Sequence, residues 1–157
     1  MGEVRVIRLL VVEDSRAYVY LIQRAFLARQ GEIRWELTVA EDGEQALNIL
    51  FGEEEGRAPF PDLILLDWNL PKVDGNVVLQ RIKEHPRLRR IPVLIFSASE
   101  GDVDMHAAYD WYANGYIRKP SDPDVLNAIV ETIERFWIAV AQIPKVARSG
   151  QAVPSKT

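Results

Sequence analysis

Residues 63–75 read LILLDWNLPKVDG, and the fold follows from how that stretch begins and stops. Its first four residues are all apolar; the run breaks on an acid, Asp67, and then on the turn-forming stretch PKVDG at 71–75. A short run with no polar face suits a strand buried on both sides, as in a parallel sheet covered by helices. The pattern recurs. Residues 7–12 (IRLLVV) stop at Glu13 and Asp14, and residues 93–96 (VLIF) stop at Ser97. Residues 35–40 and 116–118 are weaker versions of the same signal.

Between these runs the apolar period changes from strand-like to helical. After Ser15, a residue suited to cap a helix, Tyr18, Leu21, Ile22, Ala25 and Phe26 recur at three- and four-residue intervals, and Gly31 closes the segment. Gly43 precedes a stripe of Ala46, Ile49 and Leu50; Gly75 precedes Val78, Leu79 and Ile82, in a helix that must end before Pro86. A fourth helix is predicted over 103–113, ended by Asn114-Gly115, and a fifth from Asp122 to about Val140, with Pro123 in its first turn. Strand and helix therefore alternate five times, which predicts an α/β fold with a doubly wound, five-stranded parallel sheet. One domain is expected over 1–143. The polar stretch at 52–61 is a long loop, and residues 144–157 lose periodicity and read as a disordered tail.

Composition narrows the function. The chain has 157 residues, no Cys, two His and a net charge of −4. Thiolate metal sites and disulfides are excluded, a His-based metal cluster is out of reach, and no basic footprint for nucleic acid is present. Arg87, Arg89 and Arg90 form one small basic cluster, read as a solvated loop. No apolar run approaches the ~20 residues needed to span a membrane, and the amino terminus lacks the apolar core of a signal peptide. These features predict a cytoplasmic protein.

Doubly wound sheets bind ligands at the carboxyl ends of their strands. The sequence puts Glu13 and Asp14 there after the first strand, Asp67 after the third, Ser97 after the fourth and Lys119 after the fifth. Clustered carboxylates repel one another unless a cation neutralises them. Oxygen donors without His or Cys point to Mg²⁺. Asp67 can then act as a nucleophile toward a phosphoryl group, with the metal and Lys119 stabilising charge on its oxygens.

Four segments, LLVVEDS, LILLDWNLPKVDG, PVLIFSAS and GYIRKP, occur in order around those strand ends. In these the chain resembles bacterial two-component receiver domains, of the CheY-like type, over roughly residues 6–140. The resemblance implies the flavodoxin-like strand order 2-1-3-4-5. It implies Asp67 as phosphoacceptor, Asp14 as a direct Mg²⁺ ligand, Glu13 acting mostly through a metal-bound water, and the backbone carbonyl of Asn69 completing the protein's share. Ser97 then matches the switch hydroxyl, Tyr116 the switch aromatic and Lys119 the phosphate-contacting lysine. The bond before Pro120 would be cis. The implied partner is a sensor histidine kinase. The loop before the third strand and the ending ERFWIAVAQIP are similar to small single-domain regulators paired with bacterial phytochromes.

Plainer readings stand beside these. Glu13 and Asp14 also suit the positive end of the first helix. Ser97 has a neighbouring competitor in Ser99, and Tyr116 could simply pack. Trp68 is expected partly exposed, His106 on the surface, and His85 as a helix-end cap rather than a phosphodonor. The last helix carries Leu126, Ile129, Val130, Ile133 and Trp137 on one stripe, widened by Phe136 and Val140. That width predicts a homodimer interface shared with Tyr109, Trp111 and Tyr112; the alternative is that all of it packs inward. Two rival functions remain. A haloacid-dehalogenase-type hydrolase would also use a strand-end Asp, Mg²⁺ and Lys, but it resembles a D-x-D pattern where this chain has Asn69. A phosphorylation-independent pseudo-receiver would keep the fold as a binding module.

Overall fold

The computed structural model describes residues 4–29, 31–52, 59–99, 101–144 and 146. Strands β1 (Arg5–Val12), β2 (Ile33–Ala40), β3 (Leu63–Leu66), β4 (Val93–Ser97) and β5 (Gly115–Arg118) alternate with helices α1 (Arg16–Leu27), α2 (Gly43–Phe51), α3 (Gly75–Glu84), α4 (Asp102–Asp110) and α5 (Pro123–Ile133). All strand pairs are parallel and the order is β2-β1-β3-β4-β5. This is the doubly wound sheet expected from the alternation. Among the described residues, no helix is long and apolar enough to cross a membrane.

The central strands are buried on both faces because each face is roofed by helices, while the edge strands β2 and β5 stay partly exposed. Leu10, Val12, Ile64, Leu66, Val93 and Ile95 point to one side and pack with Ala46, Leu50, Val78, Leu79, Ile82 and Ala108 from α2, α3 and α4. Ile7, Leu9, Val11, Leu63, Leu65, Leu94 and Phe96 point to the other and meet Ile22, Phe26, Leu126, Val130 and Ile133 from α1 and α5. The period-two alternation within each apolar run thus divides one strand between two cores.

Helix starts follow local chemistry. Ser15 Oγ accepts from the Tyr18 amide at 3.3 Å, Asp42 caps α2 through the Gln45 amide at 2.7 Å, and Asp122 caps α5 with Pro123 in the first turn. His85 caps the end of α3, as read from the sequence. Its Nδ1 accepts from the amides of Arg87 and Leu88 at 3.1 and 3.0 Å, which start a 3₁₀ turn at Leu88–Arg90. Burial and the Arg87 charge hold its pKa below the ordinary value, in keeping with a neutral acceptor.

The last helix departs from expectation. It is α-helical only to Ile133 and then widens into a π-helical turn over Glu134–Val140. The Glu134 carboxylate accepts from Arg29 Nε at 2.6 Å and Trp35 Nε1 at 3.4 Å, and Arg5 Nη1 donates to the Ile138 carbonyl at 2.9 Å. These ties hold the turn to the segment after α1, to β2 and to β1. Of residues 144–157, Pro144 and Val146 are described, and Val146 is half-buried against the α2–α4 core. The rest of the expected tail, and residues 53–58 of the expected loop, lie outside the described residues.

Candidate functional site

Sheet register brings the predicted residues to one rim. Val12 pairs with Ala40 and with Leu66, Leu66 with Ile95, and Ser97 with Arg118, so β1, β2 and β3 stop level and β4 and β5 stop together. The ladder then continues one residue further. The Glu13 amide donates to Ala40 O at 3.0 Å, the Asp67 amide to Val12 O at 3.0 Å, and the Lys119 amide to Ser97 O at 2.9 Å. Glu13, Asp67 and Lys119 therefore leave a backbone still fixed by the sheet.

Glu13, Asp14 and Asp67 offer carboxylate oxygens that lie within 4.8 Å of one another. Glu13 and Asp67 are buried and Asp14 is exposed. Lys119 Nζ forms ion pairs with Glu13 Oε1 and, at 3.1 Å, with Asp67 Oδ2. Asp67 Oδ1 accepts from the Asn69 amide at 3.3 Å, and Glu13 Oε2 from the Ser15 amide at 3.1 Å. Burial pushes the Glu13 carboxyl up to about 7; the Asp67 charge adds to the rise, while Lys119 and the Ser15 amide oppose it. Burial works against the Lys119 charge too, but the two carboxylates outweigh it and hold the ammonium above its ordinary pKa.

The turn after β3 is fixed by close backbone packing. The Gly75 amide donates to the Trp68 carbonyl at 3.0 Å. A Cβ at Gly75 would overlap the Asp67 carbonyl oxygen and lie 2.7 Å from that of Trp68. Lys72, in the left-handed region at φ 66°, reaches back to Asp42 at 3.6 Å. Gly75→Ala is therefore expected to cost about 1–3 kcal/mol, read as a lower denaturation midpoint, because the clashing atoms are backbone. A wild-type midpoint would contradict this packing.

Ser97 is fully buried, and its Oγ accepts from the Ser99 amide at 3.1 Å. Tyr116 is half-buried against the α2–α4 core, and its hydroxyl donates to the Ser99 carbonyl at 3.3 Å. Ser99, which competed with Ser97 in the sequence, thus links Ser97 to Tyr116, and its own hydroxyl donates to Asp104 of α4 at 2.7 Å.

Two expectations are corrected. Trp68 is buried, at 4% exposure, because it packs into the α2–α4 core rather than lying on the rim. No cis peptide bond occurs among the described residues, so the Lys119–Pro120 bond is trans; trans is the commoner isomer before proline, and Lys119 reaches both carboxylates from it. Sequence reading also missed Tyr18, whose hydroxyl donates to the Pro120 carbonyl at 2.8 Å and whose ring faces Lys119.

Comparison with known proteins agrees with this geometry. The family model described as response regulator receiver domain matches residues 9–131. The chain is 41% identical over 138 residues to the probable methanogenesis regulatory protein FilR2 of Methanothrix harundinacea, covering 87% of this chain and 86% of FilR2. It is 40% identical over 138 residues to response regulator Rcp1 of Synechocystis, covering 87% and 92%. The Mn²⁺-bound crystal structure of Rcp1 superposes with a TM-score of 0.79 at 37% identity, covering 88% of this chain and 99% of that one. The phosphorylated cyanobacterial phytochrome response regulator RcpA superposes with a TM-score of 0.84 at 41% identity, over 88% and 99% of the two chains. By sequence, by fold and by its acid-lined strand rim, the chain belongs to the response regulator receiver domains, the signalling domains of two-component systems.

Proposed function

We propose that the chain works as a single-domain response regulator, taking a phosphoryl group onto Asp67 from a sensor histidine kinase in a Mg²⁺-dependent reaction. The observation that carries this reading is the Asp67 carboxylate, held 3.1 Å from the Lys119 ammonium and grouped with Glu13 and Asp14. Three carboxylates without nitrogen or sulfur donors fit a hard divalent cation such as Mg²⁺, and the Rcp1 relative is described with Mn²⁺ bound. Glu13, Asp14, Asp67 and the Asn69 carbonyl would hold it. When bound, the ion neutralises these acids and the charge gathering on the transferred group.

An Asp67 carboxylate oxygen attacks phosphorus while the phosphorus–nitrogen bond of the kinase phosphohistidine breaks, its electron pair leaving with the imidazole. Lys119 then faces the new phosphoryl oxygens. The product adds about 1.5–2 negative charges at the rim, and the Ser97 hydroxyl, buried at the end of β4, answers them beside Lys119. Through Ser99 the change reaches Tyr116 and α4, and so the surface that partners read. The phosphorylated RcpA structure favours a phytochrome-type kinase as the donor. The purified protein, given acetyl phosphate and Mg²⁺, is expected to gain one phosphoryl group by intact mass and none with a chelator. A folded protein that gains none under either condition would instead support the pseudo-receiver reading.

Mg²⁺ affinity is expected to depend on pH with a defined sign. Glu13 keeps its proton to about pH 7 in the metal-free protein, and that proton must leave for the carboxylate to face a cation. Affinity should therefore fall as pH drops below about 7, by up to about tenfold per unit. Calorimetric titration between about pH 5.5 and 8 checks it, and a flat profile would contradict the role of Glu13.

We infer that the chain also forms a homodimer through its last helix. Leu126, Val130, Ile133 and Ile138 pack inward, whereas Val125, Phe136 and Val140 are exposed, as are Tyr109 near the end of α4 and Tyr112 after it. Tyr112 is 71% exposed and held at φ 64°. Sedimentation equilibrium is expected to find a dimer that Phe136→Glu breaks; a monomer at all concentrations would contradict it.

A further inference from the structure

We propose that Tyr18 is a positioning residue of the phosphoryl-transfer site, holding the Lys119 ammonium with its ring and the backbone of the next residue, Pro120, with its hydroxyl; the inference rests on the assignment of Asp67 above. Tyr18 enters from the start of α1, where its amide is fixed by the Ser15 cap. Lys119 Nζ lies 5.0 Å from the centre of its ring, and its hydroxyl donates to the Pro120 carbonyl at 2.8 Å. The ring also packs against Phe96 of β4, with centroids 5.7 Å apart and planes tilted by 56°.

The need for such a group follows from the ion pairs. The ammonium is shared between Glu13 and Asp67, and a cation or a phosphoryl group entering the site competes for those same oxygens. A third carboxylate would pin the ammonium in place. An aromatic face attracts it without fixing a hydrogen bond, so the ammonium can exchange oxygen partners while staying over the site. The hydroxyl meanwhile ties down the short stretch between β5 and α5 that carries Lys119. Both contacts come from one side chain on a different element, which couples α1 to the lysine.

Tyr18→Leu, Tyr18→Phe and Tyr18→Trp separate these contacts. Phosphoryl uptake at limiting acetyl phosphate is expected to slow about tenfold in Tyr18→Leu. Tyr18→Phe keeps the ring and should slow about threefold. Tyr18→Trp, which restores a large aromatic face, should recover most of the loss, and Mg²⁺ affinity should stay within about twofold in all three. Wild-type rates in Tyr18→Leu, or equal slowing in all three variants in step with lost stability, would overturn the proposal. The ring-current displacement of the Lys119 ε-methylene resonance gives an independent reading that needs no phosphorylation. It should vanish in Tyr18→Leu and persist in Tyr18→Phe; a resonance unchanged in Tyr18→Leu overturns the placement by itself. Should the wild-type protein take up no phosphoryl group, the functional assignment fails, and this resonance alone decides whether Tyr18 holds Lys119.

Discussion

Asp67→Asn is expected to take up no phosphoryl group where the wild-type protein takes up one, and to be no less stable than wild type without metal. The amide has the shape of the carboxylate but offers no anionic oxygen to attack phosphorus, so the loss should be complete rather than graded. Stability should hold because Asp67 is one of three neighbouring acids. Replacing it removes repulsion while Lys119 keeps its pair with Glu13. Intact mass and a denaturation curve on the same sample check both halves. Uptake persisting in a folded Asp67→Asn protein would move the acceptor elsewhere, and His85, whose Nδ1 is committed to two backbone amides, is poorly placed to be it.

The second large effect concerns Lys119. Lys119→Met is expected to destabilise the metal-free protein by about 3 kcal/mol near pH 8, because it leaves buried Glu13 and Asp67 without their shared cation. The cost should shrink in acid. Glu13 titrates at about 7 when folded against an ordinary 4.5, so across that window the folded chain holds a proton that the unfolded chain has released. Its contribution to stability therefore falls as pH rises from 4.5 through 7, and a variant lacking Lys119, whose ammonium opposes the rise, should carry that fall on to higher pH. Mg²⁺ supplies the missing charge. At about a hundred times its dissociation constant it should restore roughly 2.7 kcal/mol, and it should bind the variant at least as tightly as wild type, since no ammonium competes. Denaturant melts at two pH values, with and without Mg²⁺, test this. Equal destabilisation under all four conditions would mean that Lys119 serves packing alone.

Much of this site could be read from the chain because strand ends are marked by chemistry. An apolar run buried on both faces must stop where the sheet stops, and Glu13, Asp67 and Ser97 stand at those stops. Strand order then decides which stops are neighbours. What escaped reading depends on distances that no period encodes. Tyr18 occupies an ordinary position on the α1 stripe, and only the approach of the Lys119–Pro120 stretch gives its hydroxyl a partner. Trp68 follows the acid that ends β3, and residues next to a rim look exposed until the packing beneath is known. The π turn at Glu134–Val140 was invisible because the apolar residues of 126–140 read as one continuous helical stripe, and nothing in that pattern marks where the winding changes. There the choice is tied to long-range contacts from Glu134 to Arg29 and Trp35.

The most direct test of the account is chemical mapping of the phosphorylated residue. The protein would be treated with acetyl phosphate and Mg²⁺, reduced with borohydride, which converts an aspartyl phosphate to homoserine, and digested for peptide mass spectrometry. Homoserine at position 67, absent when Mg²⁺ is chelated, is the predicted result. Reduction at any other acid, or a phosphoryl group resistant to borohydride with Asp67 intact, would contradict it.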